Sequence, residues 1–290
     1  MFPRYMTPLD AQKITEHVQR QRAFFTDVLA ARPVPGDVRL RDTELGGIPA
    51  LEVTIRQTRP RGTTLWLHGG AFVAGSPRNA LAPAANVARV SGTRVLSVDY
   101  RLAPEHPHPA AVDDALAAYR AVLDEVPVGE LAVAGESAGG TLTLALLVAA
   151  RDAGLPLPRA AVVFSPASDL TMAGRSFRTK AEVDPVVSVE ALQAAFQAYL
   201  GETDATRPLV SPLFADLAGL PPTLIQCGSH EVLLDDSTRL AARLAAADVA
   251  VALEVTAGMS HVFQARGPEL PQAAEALRSA GRFVRHHLGG

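Results

Sequence analysis

The arrangement with the clearest chemical potential is a serine set between glycines, Gly135-Glu136-Ser137-Ala138-Gly139. An apolar run over residues 131–134 precedes it, and an Ala/Leu-rich helical pattern follows without proline or glycine between Gly140 and Gly154. A chain that turns this sharply from strand to helix has no room for large side chains two residues before and two residues after the serine, where the glycines lie, so the pattern predicts a nucleophile elbow. The alternative is a chance match in a chain with 22 glycines. Ser137 is the predicted nucleophile.

A serine hydroxyl needs a base to take its proton and a third group to orient that base. An elbow serine is followed along the chain by the acid and then by the histidine. His261 lies in Gly258-Met259-Ser260-His261, a loop directly after the last predicted strand, and is the predicted base. Other histidines lie at the polar C-terminus, on the first predicted helix or in a proline-rich turn: His286, His287, His17, His106 and His108.

The acid is expected in the loop that follows the preceding strand. That loop offers Glu231, Asp235 and Asp236. The two aspartates immediately precede a helical pattern, where acids commonly serve as N-cap or first-turn residues. Glu231 comes directly after the strand end at Gly228-Ser229-His230, which favours it as the orienting acid. Asp235 stays open as the alternative.

The negative oxygen that forms when a serine attacks a carbonyl must be stabilised by backbone N–H groups. The loop after the third predicted strand, His68-Gly69-Gly70-Ala71, has the small residues that permit close backbone approach. The N–H groups of Gly69, Gly70, Ala71 and Ala138 are therefore the predicted oxyanion hole. His68 is expected to orient this loop rather than to transfer protons. Glycines that only turn the chain would fit the same pattern.

The surrounding elements predict an α/β fold. Strand and helix patterns alternate after about residue 63, which indicates a mostly parallel sheet with helices on both faces. A first helix is expected to begin at Thr7-Pro8 and end before Pro33, and a hairpin to turn at Gly46-Gly47. The stretch from Pro166 to about Ser211 breaks the alternation and predicts an insertion above the carboxyl ends of the strands. The other predicted elements are strands 38–40, 51–55, 63–67, 94–99, 131–134, 161–164, 223–227 and 251–255, and helices 110–123, 138–151, 189–200, 236–246 and 272–287.

Composition limits the classes of function. A chain of 290 residues with 48% hydrophobic content can bury one large core, and a net charge of −3 offers no basic face for nucleic acid. The one cysteine, Cys227, lies in an apolar run and is expected to be a core thiol. Residues 1–20 are too polar for a signal peptide, and the longest apolar run, Leu144 to Ala150, is far too short to span a membrane. A cytoplasmic protein with no membrane partner is expected.

Four motifs together resemble the bacterial hormone-sensitive-lipase-like esterases of the α/β-hydrolase fold. The motifs are His68-Gly69-Gly70-Ala71-Phe72, Tyr100-Arg101-Leu102-Ala103-Pro104-Glu105-His106-Pro107, Gly135-Glu136-Ser137-Ala138-Gly139-Gly140 and Gly258-Met259-Ser260-His261. The resemblance implies carboxylic ester hydrolysis with no cofactor, and no metal ligands are assigned. It implies a helical cap made of residues 1–34 and an insertion at about 167–211, on a catalytic domain of residues 35–290. It supports Glu231, which aligns with the first acid of the family's D-P-L-x-D-E pattern, and suggests a homodimer through an edge strand near Thr223–Cys227.

The chain departs from the family pattern at three positions. Ala71 replaces the third glycine of H-G-G-G, and Glu136 replaces the aspartate of G-D-S-A-G-G. Ala167 follows Ser165-Pro166 where relatives often have a tryptophan. The missing indole is expected to widen the pocket, so the substrate preference of the family does not carry over to this chain.

The predicted function is that of a serine carboxylesterase for short- to medium-chain esters, acting through an acyl-enzyme. A lactonase or a deacetylase of amides or aryl esters would use the same triad. A ligand receptor without activity, such as the plant gibberellin receptors that resemble this family, is the alternative of another class. Those receptors lack the catalytic histidine, so His261 argues against that alternative.

Overall fold

A computed structural model describes residues 7–29 and 33–289. Its strands form one sheet, and they are β1 (Val38–Leu45), β2 (Ile48–Ile55), β3 (Thr63–Leu67), β4 (Arg94–Val98), β5 (Leu131–Glu136), β6 (Ala160–Phe164), β7 (Thr223–Gly228) and β8 (Val251–Thr256). The strand order is β1-β2-β4-β3-β5-β6-β7-β8. Among the strands of the described residues, only the β1–β2 and β2–β4 pairings are antiparallel. The predicted mostly parallel sheet is confirmed.

α-Helices lie on both faces of this sheet and over the carboxyl ends of its strands. They are α1 (Ala11–Ala23), α2 (Leu81–Ser91), α3 (Ala110–Glu125), α4 (Ala138–Asp152), α5 (Ser176–Thr179), α6 (Val189–Leu200), α7 (Leu234–Ala246) and α8 (Pro271–His287). Because successive side chains of a strand point to opposite faces, Leu65 and Leu67 pack with α3 and α4, while Trp66 packs with α2 and α8. Both faces of the central strands are therefore covered, and the core consists of two layers.

The N-terminal segment packs against α6, the longest helix of the insertion. Nε2 of Gln193 donates to the carbonyl oxygen of Thr7 at 2.8 Å, and the N–H of Leu9 donates to Oε1 of Gln197 at 3.1 Å. Arg22 of α1 donates to the carbonyl oxygens of two residues that follow β3 and β4, Val73 and Ala103. Both segments therefore lie over the carboxyl ends of the central strands.

Helix boundaries show where the sequence expectations were wrong. Helix α1 begins after Asp10, whose side chain accepts a hydrogen bond from the N–H of Lys13, and not at Thr7-Pro8. Helix α7 begins at Leu234, so Asp235 and Asp236 lie in its first turn and neither is the N-cap. Helix α2 was not predicted from the sequence. The predicted end of the first helix before Pro33 falls on residues 30–32, outside the described residues.

The edge of the sheet is not where the sequence placed it. Strand β7 lies between β6 and β8, and all its residues are buried, so the predicted edge strand near Thr223–Cys227 is wrong. A continuous apolar run is typical of a strand covered on both faces, whereas an edge strand with a solvated face alternates. Strand β8 has that alternation and is the edge strand on this side of the sheet, at the opposite end from β1: Leu253 is 37% exposed and Val255 is 43% exposed. In residues 7–29 and 33–289, no helix has both the length and the apolarity to cross a bilayer.

Candidate active site

Ser137 alone forms the turn between β5, which ends at Glu136, and α4, which begins at Ala138. Its φ of 55° and ψ of −123° lie outside the regions that side-chain-bearing residues favour, as expected of a residue strained at a functional site. A Cβ at Gly135 would lie 2.3 Å from the carbonyl oxygen of Gly139, and a Cβ at Gly139 would lie 1.9 Å from that of Leu67. Both glycines are therefore required for the elbow to pack.

The structure brings the predicted base and acid to this serine. Nε2 of His261 lies 2.9 Å from Oγ of Ser137, and Nδ1 of His261 lies 3.0 Å from Oε2 of Glu231. A carboxylate can only accept, so the proton of the neutral imidazole is on Nδ1. Nε2 is left to accept from the serine hydroxyl, which is the geometry of a nucleophile with its general base.

The electrostatic surroundings favour the protonated imidazole. Burial by itself lowers the pKa of His261, whose side chain is 8% exposed, but the hydrogen bond and charge of Glu231 outweigh it. The charges of Glu136 and Asp184 act in the same direction, and the net pKa of His261 is raised above its ordinary value. The site therefore stabilises the imidazolium that would form when Ser137 loses its proton.

The two alternative acids of the same loop have other partners. Oδ2 of Asp235 accepts a hydrogen bond from the N–H of Ser176 at 3.2 Å, which fastens the start of α7 to the insertion. Asp236 is fully buried, and its carboxylate pairs with Arg239 at 3.1 Å. Only Glu231, among these acids, meets His261 in the part of the chain that the structure describes.

The loop after β3 has an unusual backbone that exposes N–H groups. Gly70, Ala71 and Phe72 follow one another with φ of 118°, 51° and 67°. The N–H groups of Val73 and Ala74 donate back to the carbonyl oxygen of Gly70, which closes the turn. Within the described ranges, no protein atom accepts from the N–H groups of Gly70, Ala71 or Ala138. These three donors are free to bind an anionic oxygen.

Gly69 does not share that freedom, so its predicted place in the oxyanion hole is corrected. Its N–H donates to Oε1 of Glu136 at 2.8 Å. Glu136 is 7% exposed, and burial raises its pKa, although the Gly69 hydrogen bond and the charge of His261 act in the opposite direction. Glu136, at the position of the family's aspartate, therefore joins the loop after β3 to the elbow at Ser137.

His68 is buried beneath this loop and is not placed for proton transfer. Its Nδ1 lies 2.7 Å from the carbonyl oxygen of Gly69, and its ring stacks on Tyr100 with centroids 4.2 Å apart. Burial lowers the pKa of His68 to about 4, although the hydrogen bond to Gly69 raises it. A neutral, stacked imidazole is consistent with the orienting role predicted for it.

Comparisons with known proteins agree with this geometry. Residues 64–265 match a family described as having the alpha/beta hydrolase fold. An acetyl-hydrolase of Streptomyces hygroscopicus is 42% identical over 237 residues, covering 81% of this chain and 79% of that protein. An esterase of Acinetobacter venetianus is 37% identical over 249 residues, covering 85% and 82%. The crystal structure of an esterase from the bacterial hormone-sensitive lipase family superimposes with a TM-score of 0.89 at 38% identity, over 97% of this chain and 100% of that one. The chain belongs to this family of α/β-hydrolases.

The family and fold expectations for this esterase are thereby confirmed, and so is the burial of Cys227, which is 0% exposed. No group of three or more His, Cys, Asp or Glu side chains among the described residues could hold a metal ion.

Two polar residues of the site were not singled out from the sequence. Ser165 contacts Glu231, and Asp184 of the insertion accepts a hydrogen bond from the N–H of Val232 at 2.9 Å. One sequence feature pointed to Ser165: it directly follows a predicted strand, and the carboxyl ends of these strands are where Ser137 and Glu231 were expected.

Proposed function

We propose that this esterase hydrolyses short- to medium-chain carboxylic esters through an acyl-enzyme formed on Ser137. The contact of Nε2 of His261 with Oγ of Ser137, at 2.9 Å, carries the proposal. His261 takes the serine proton as Oγ bonds to the ester carbonyl carbon, and Glu231 stabilises the imidazolium. The negative oxygen of the tetrahedral intermediate accepts from the N–H groups of Gly70, Ala71 and Ala138.

Release of the alcohol and hydrolysis of the acyl-enzyme use the same groups. His261 returns the proton to the leaving alcohol as the bond from the carbonyl carbon to the alcohol oxygen breaks, which leaves the acyl group on Ser137. Water then replaces the alcohol, and His261 takes its proton during attack on the acyl carbon. The carboxylic acid leaves as Ser137 recovers its proton. No cofactor takes part in these steps.

The N-terminal segment and the insertion at about 167–211 are proposed to form a cap over the site. Support comes from their mutual hydrogen bonds through Gln193 and Gln197, and from the position of Arg22 over the ends of β3 and β4. The catalytic domain would then comprise residues 35–290. A cap at this place would decide which acyl and alcohol groups enter.

A homodimer remains part of the proposal, but through β8 rather than near Thr223–Cys227. The free edge of β8 and the exposed side chains of Leu253 and Val255 support this choice. Sedimentation of the wild type and of a Leu253→Lys variant tests it. A monomeric wild type would exclude the dimer without affecting the proposed chemistry.

The esterase proposal is tested with a series of p-nitrophenyl esters of increasing acyl length. We expect a burst of nitrophenol equal to the enzyme concentration and an acyl adduct on Ser137 by mass spectrometry. Ser137→Ala should lose at least about 10³-fold in turnover, because a nucleophile removed from a triad removes the covalent route. Ser279→Ala is the control and should stay active, because Ser279 lies on α8 and its hydroxyl donates to Glu254 of β8, away from the loops that carry the triad. The proposal fails if Ser137→Ala keeps wild-type turnover.

The same series separates the alternatives. Lactones and acetylated amines would be cleaved by the same residues, so relative kcat/KM values on these substrates decide between esterase, lactonase and deacetylase. The acetyl-hydrolase name of the Streptomyces relative makes acetyl esters the first substrates to compare. A receptor would bind a ligand without turnover, and the contact between Ser137 and His261 argues against that reading.

A further inference from the structure

Ser165 occupies a strained and fully buried position beside the proposed acid. It directly follows β6, is 0% exposed, and has a φ of 47°, in the left-handed region that residues with a side chain rarely adopt. Its backbone N–H donates to the carbonyl oxygen of Gln226 on β7 at 2.8 Å, so the residue is fixed to the sheet. Backbone strain of this kind persists only where the surrounding contacts hold the residue in place, and strained residues cluster at active sites.

The hydroxyl of Ser165 has a defined direction. The N–H of Val262 donates to Oγ of Ser165 at 3.2 Å, and Oγ lies 2.9 Å from Oε1 of Glu231. A carboxylate oxygen accepts and does not donate when ionised, so the single hydroxyl proton points at Glu231. Oε1 of Glu231 also accepts from the N–H of Gly228. Two donors on Oε1 leave Oε2 facing Nδ1 of His261.

These contacts form a closed ring through the base and the acid. From Glu231 the ring passes to His261, along one peptide bond to Val262, then to Ser165 and back to Glu231. Val262 has a φ of 49°, which is unusual for a β-branched residue, and its N–H donates to Oγ of Ser165. Ser165 therefore ties the carboxylate to the backbone that carries the imidazole.

We propose that Ser165 is a positioning residue for this esterase, holding the Glu231 carboxylate in the orientation that supports His261. The inference rests on the proposed roles of Ser137, Glu231 and His261. Without the hydroxyl, the carboxylate keeps one donor on Oε1 and can rotate away from Nδ1, which weakens the support of the imidazolium. The loss falls on the chemical step, since Ser165 is buried and its hydroxyl is engaged with the acid.

The test compares three variants of the full chain. Ser165→Ala removes the hydroxyl, and Ser165→Gly removes it while accepting the positive φ without strain. We expect both to lower kcat about 10-fold to 100-fold with KM changed less than about 3-fold, the range of a hydrogen bond to a charged group. The matched control is Ser168→Ala, three residues on and equally buried, whose hydroxyl donates to the carbonyl oxygen of Asp236 at 2.9 Å. It should keep kcat within about 3-fold of wild type.

A double-mutant cycle with Glu231→Gln separates positioning from a general effect on packing. In the Glu231→Gln background, Ser165→Gly should change kcat by less than about 3-fold, because its effect acts through the carboxylate. Equal losses in the two backgrounds, a wild-type kcat in both Ser165 variants, or failure of both to fold in thermal unfolding would overturn the inference. If Glu231→Gln is itself fully active, the proposed acid is wrong, and the failure lies with the proposed function.

Discussion

The N–H of Gly69 donates to the carboxylate of Glu136 at 2.8 Å, so the oxyanion loop is fastened to the residue immediately before Ser137. A Cβ at Gly69 would lie 2.3 Å from Oε2 of Glu136, so a larger residue there would displace that carboxylate. The pairing fixes the position of the proposed nucleophile relative to the N–H groups that we propose as donors to the negative oxygen of the transition state. It also places a buried charge close enough to raise the pKa of His261.

Glu136→Gln should move the pH profile without destroying the site. The amide oxygen still accepts from the N–H of Gly69, but the negative charge that raises the pKa of His261 is gone. His261 acts as a base only when neutral, so kcat/KM of the wild type should rise with pH through an apparent pKa above 6.5. In the variant this limb should lie at lower pH. Profiles of kcat/KM between pH 5 and 9 for the wild type and Glu136→Gln measure this shift. Glu44→Gln, at an exposed glutamate, is the control. A rise of kcat/KM that moves to higher pH in Glu136→Gln would contradict the expectation.

Glu231→Gln and Asp235→Asn should have opposite effects. The first keeps the shape of the side chain but removes the charge facing Nδ1 of His261, and activity should fall by roughly 10² to 10⁴ with little loss of stability. The second weakens a first-turn charge on α7 and a 3.2 Å contact with Ser176, so activity should change little and roughly a few tenths of a kcal/mol should be lost. Turnover and thermal unfolding of the two variants decide. If Asp235→Asn lost activity while Glu231→Gln stayed active, the acid would have to be reassigned to Asp235.

Gly70→Ala should remove the oxyanion donors, whereas Ala71→Gly should leave them intact. A Cβ at Gly70 would lie 2.0 Å from the carbonyl oxygen of Ala74, and the φ of 118° is one that alanine does not adopt. The loop must therefore shift, and the loss of one such donor typically costs about 10² to 10³ in kcat. Ala71 has a φ of 51°, which glycine tolerates without strain, so Ala71→Gly should stay within about 3-fold of wild type. Similar kcat values for both variants would argue against this loop as the oxyanion hole.

Arg239→Met should destabilise the protein in a pH-dependent way. Arg239 pairs with Asp169 at 2.8 Å and Asp236 at 3.1 Å, and both carboxylates are fully buried. Removing the cation leaves them uncompensated; since Arg239 is 34% exposed, we expect a cost of about 2 kcal/mol at pH 8, below that of a fully buried pair.

The sign of the pH dependence follows from Asp236. Burial, and next the charge of Asp169, raise the pKa of Asp236 in the folded state. A raised folded pKa means that stability is present below the unfolded pKa and is lost as pH rises toward the folded value. Loss of Arg239 raises this pKa further. The free energy of unfolding that Arg239→Met loses relative to the wild type should therefore be smaller at pH 5 than at pH 8. Urea unfolding at both pH values measures it, with Arg243→Met as the control, since Arg243 donates to the carbonyl oxygen of Ala215 at 2.9 Å. A deficit independent of pH would contradict the argument.

The features predicted well from the sequence were those with a strong local signal. Gly135 to Gly139 specify the elbow because larger residues would collide there, and the period of apolar residues predicted α6 with its observed bounds, Val189–Leu200. The carboxyl ends of parallel strands meet at one edge of a sheet, so the loops after β5, β7 and β8 could be expected to bring Ser137, Glu231 and His261 together. The observed distances agree with that placement.

The features that were missed depend on contacts distant in sequence. Nothing local indicates that the N–H of Gly69 is occupied by Glu136, 67 residues further along the chain. The positive φ of Ser165 arises from its fixed place between β6 and Glu231, since serine has no preference for that conformation. Strand order is also non-local: β7 is an interior strand because β8 pairs beside it.

Cys227 has a practical consequence for following the esterase by spectroscopy. It is the one cysteine of the chain, it is 0% exposed, and burial raises the pKa of its thiol to about 12. Thiol reagents at neutral pH should therefore leave the native enzyme unlabelled. Val186 of the insertion is 60% exposed, so in a Val186→Cys variant the new thiol would be the single site that a dye labels on the folded protein. The one tryptophan, Trp66, lies in the central strand β3 and can serve as the energy donor, so substrate-dependent movement of the insertion relative to the core becomes measurable with a single substitution.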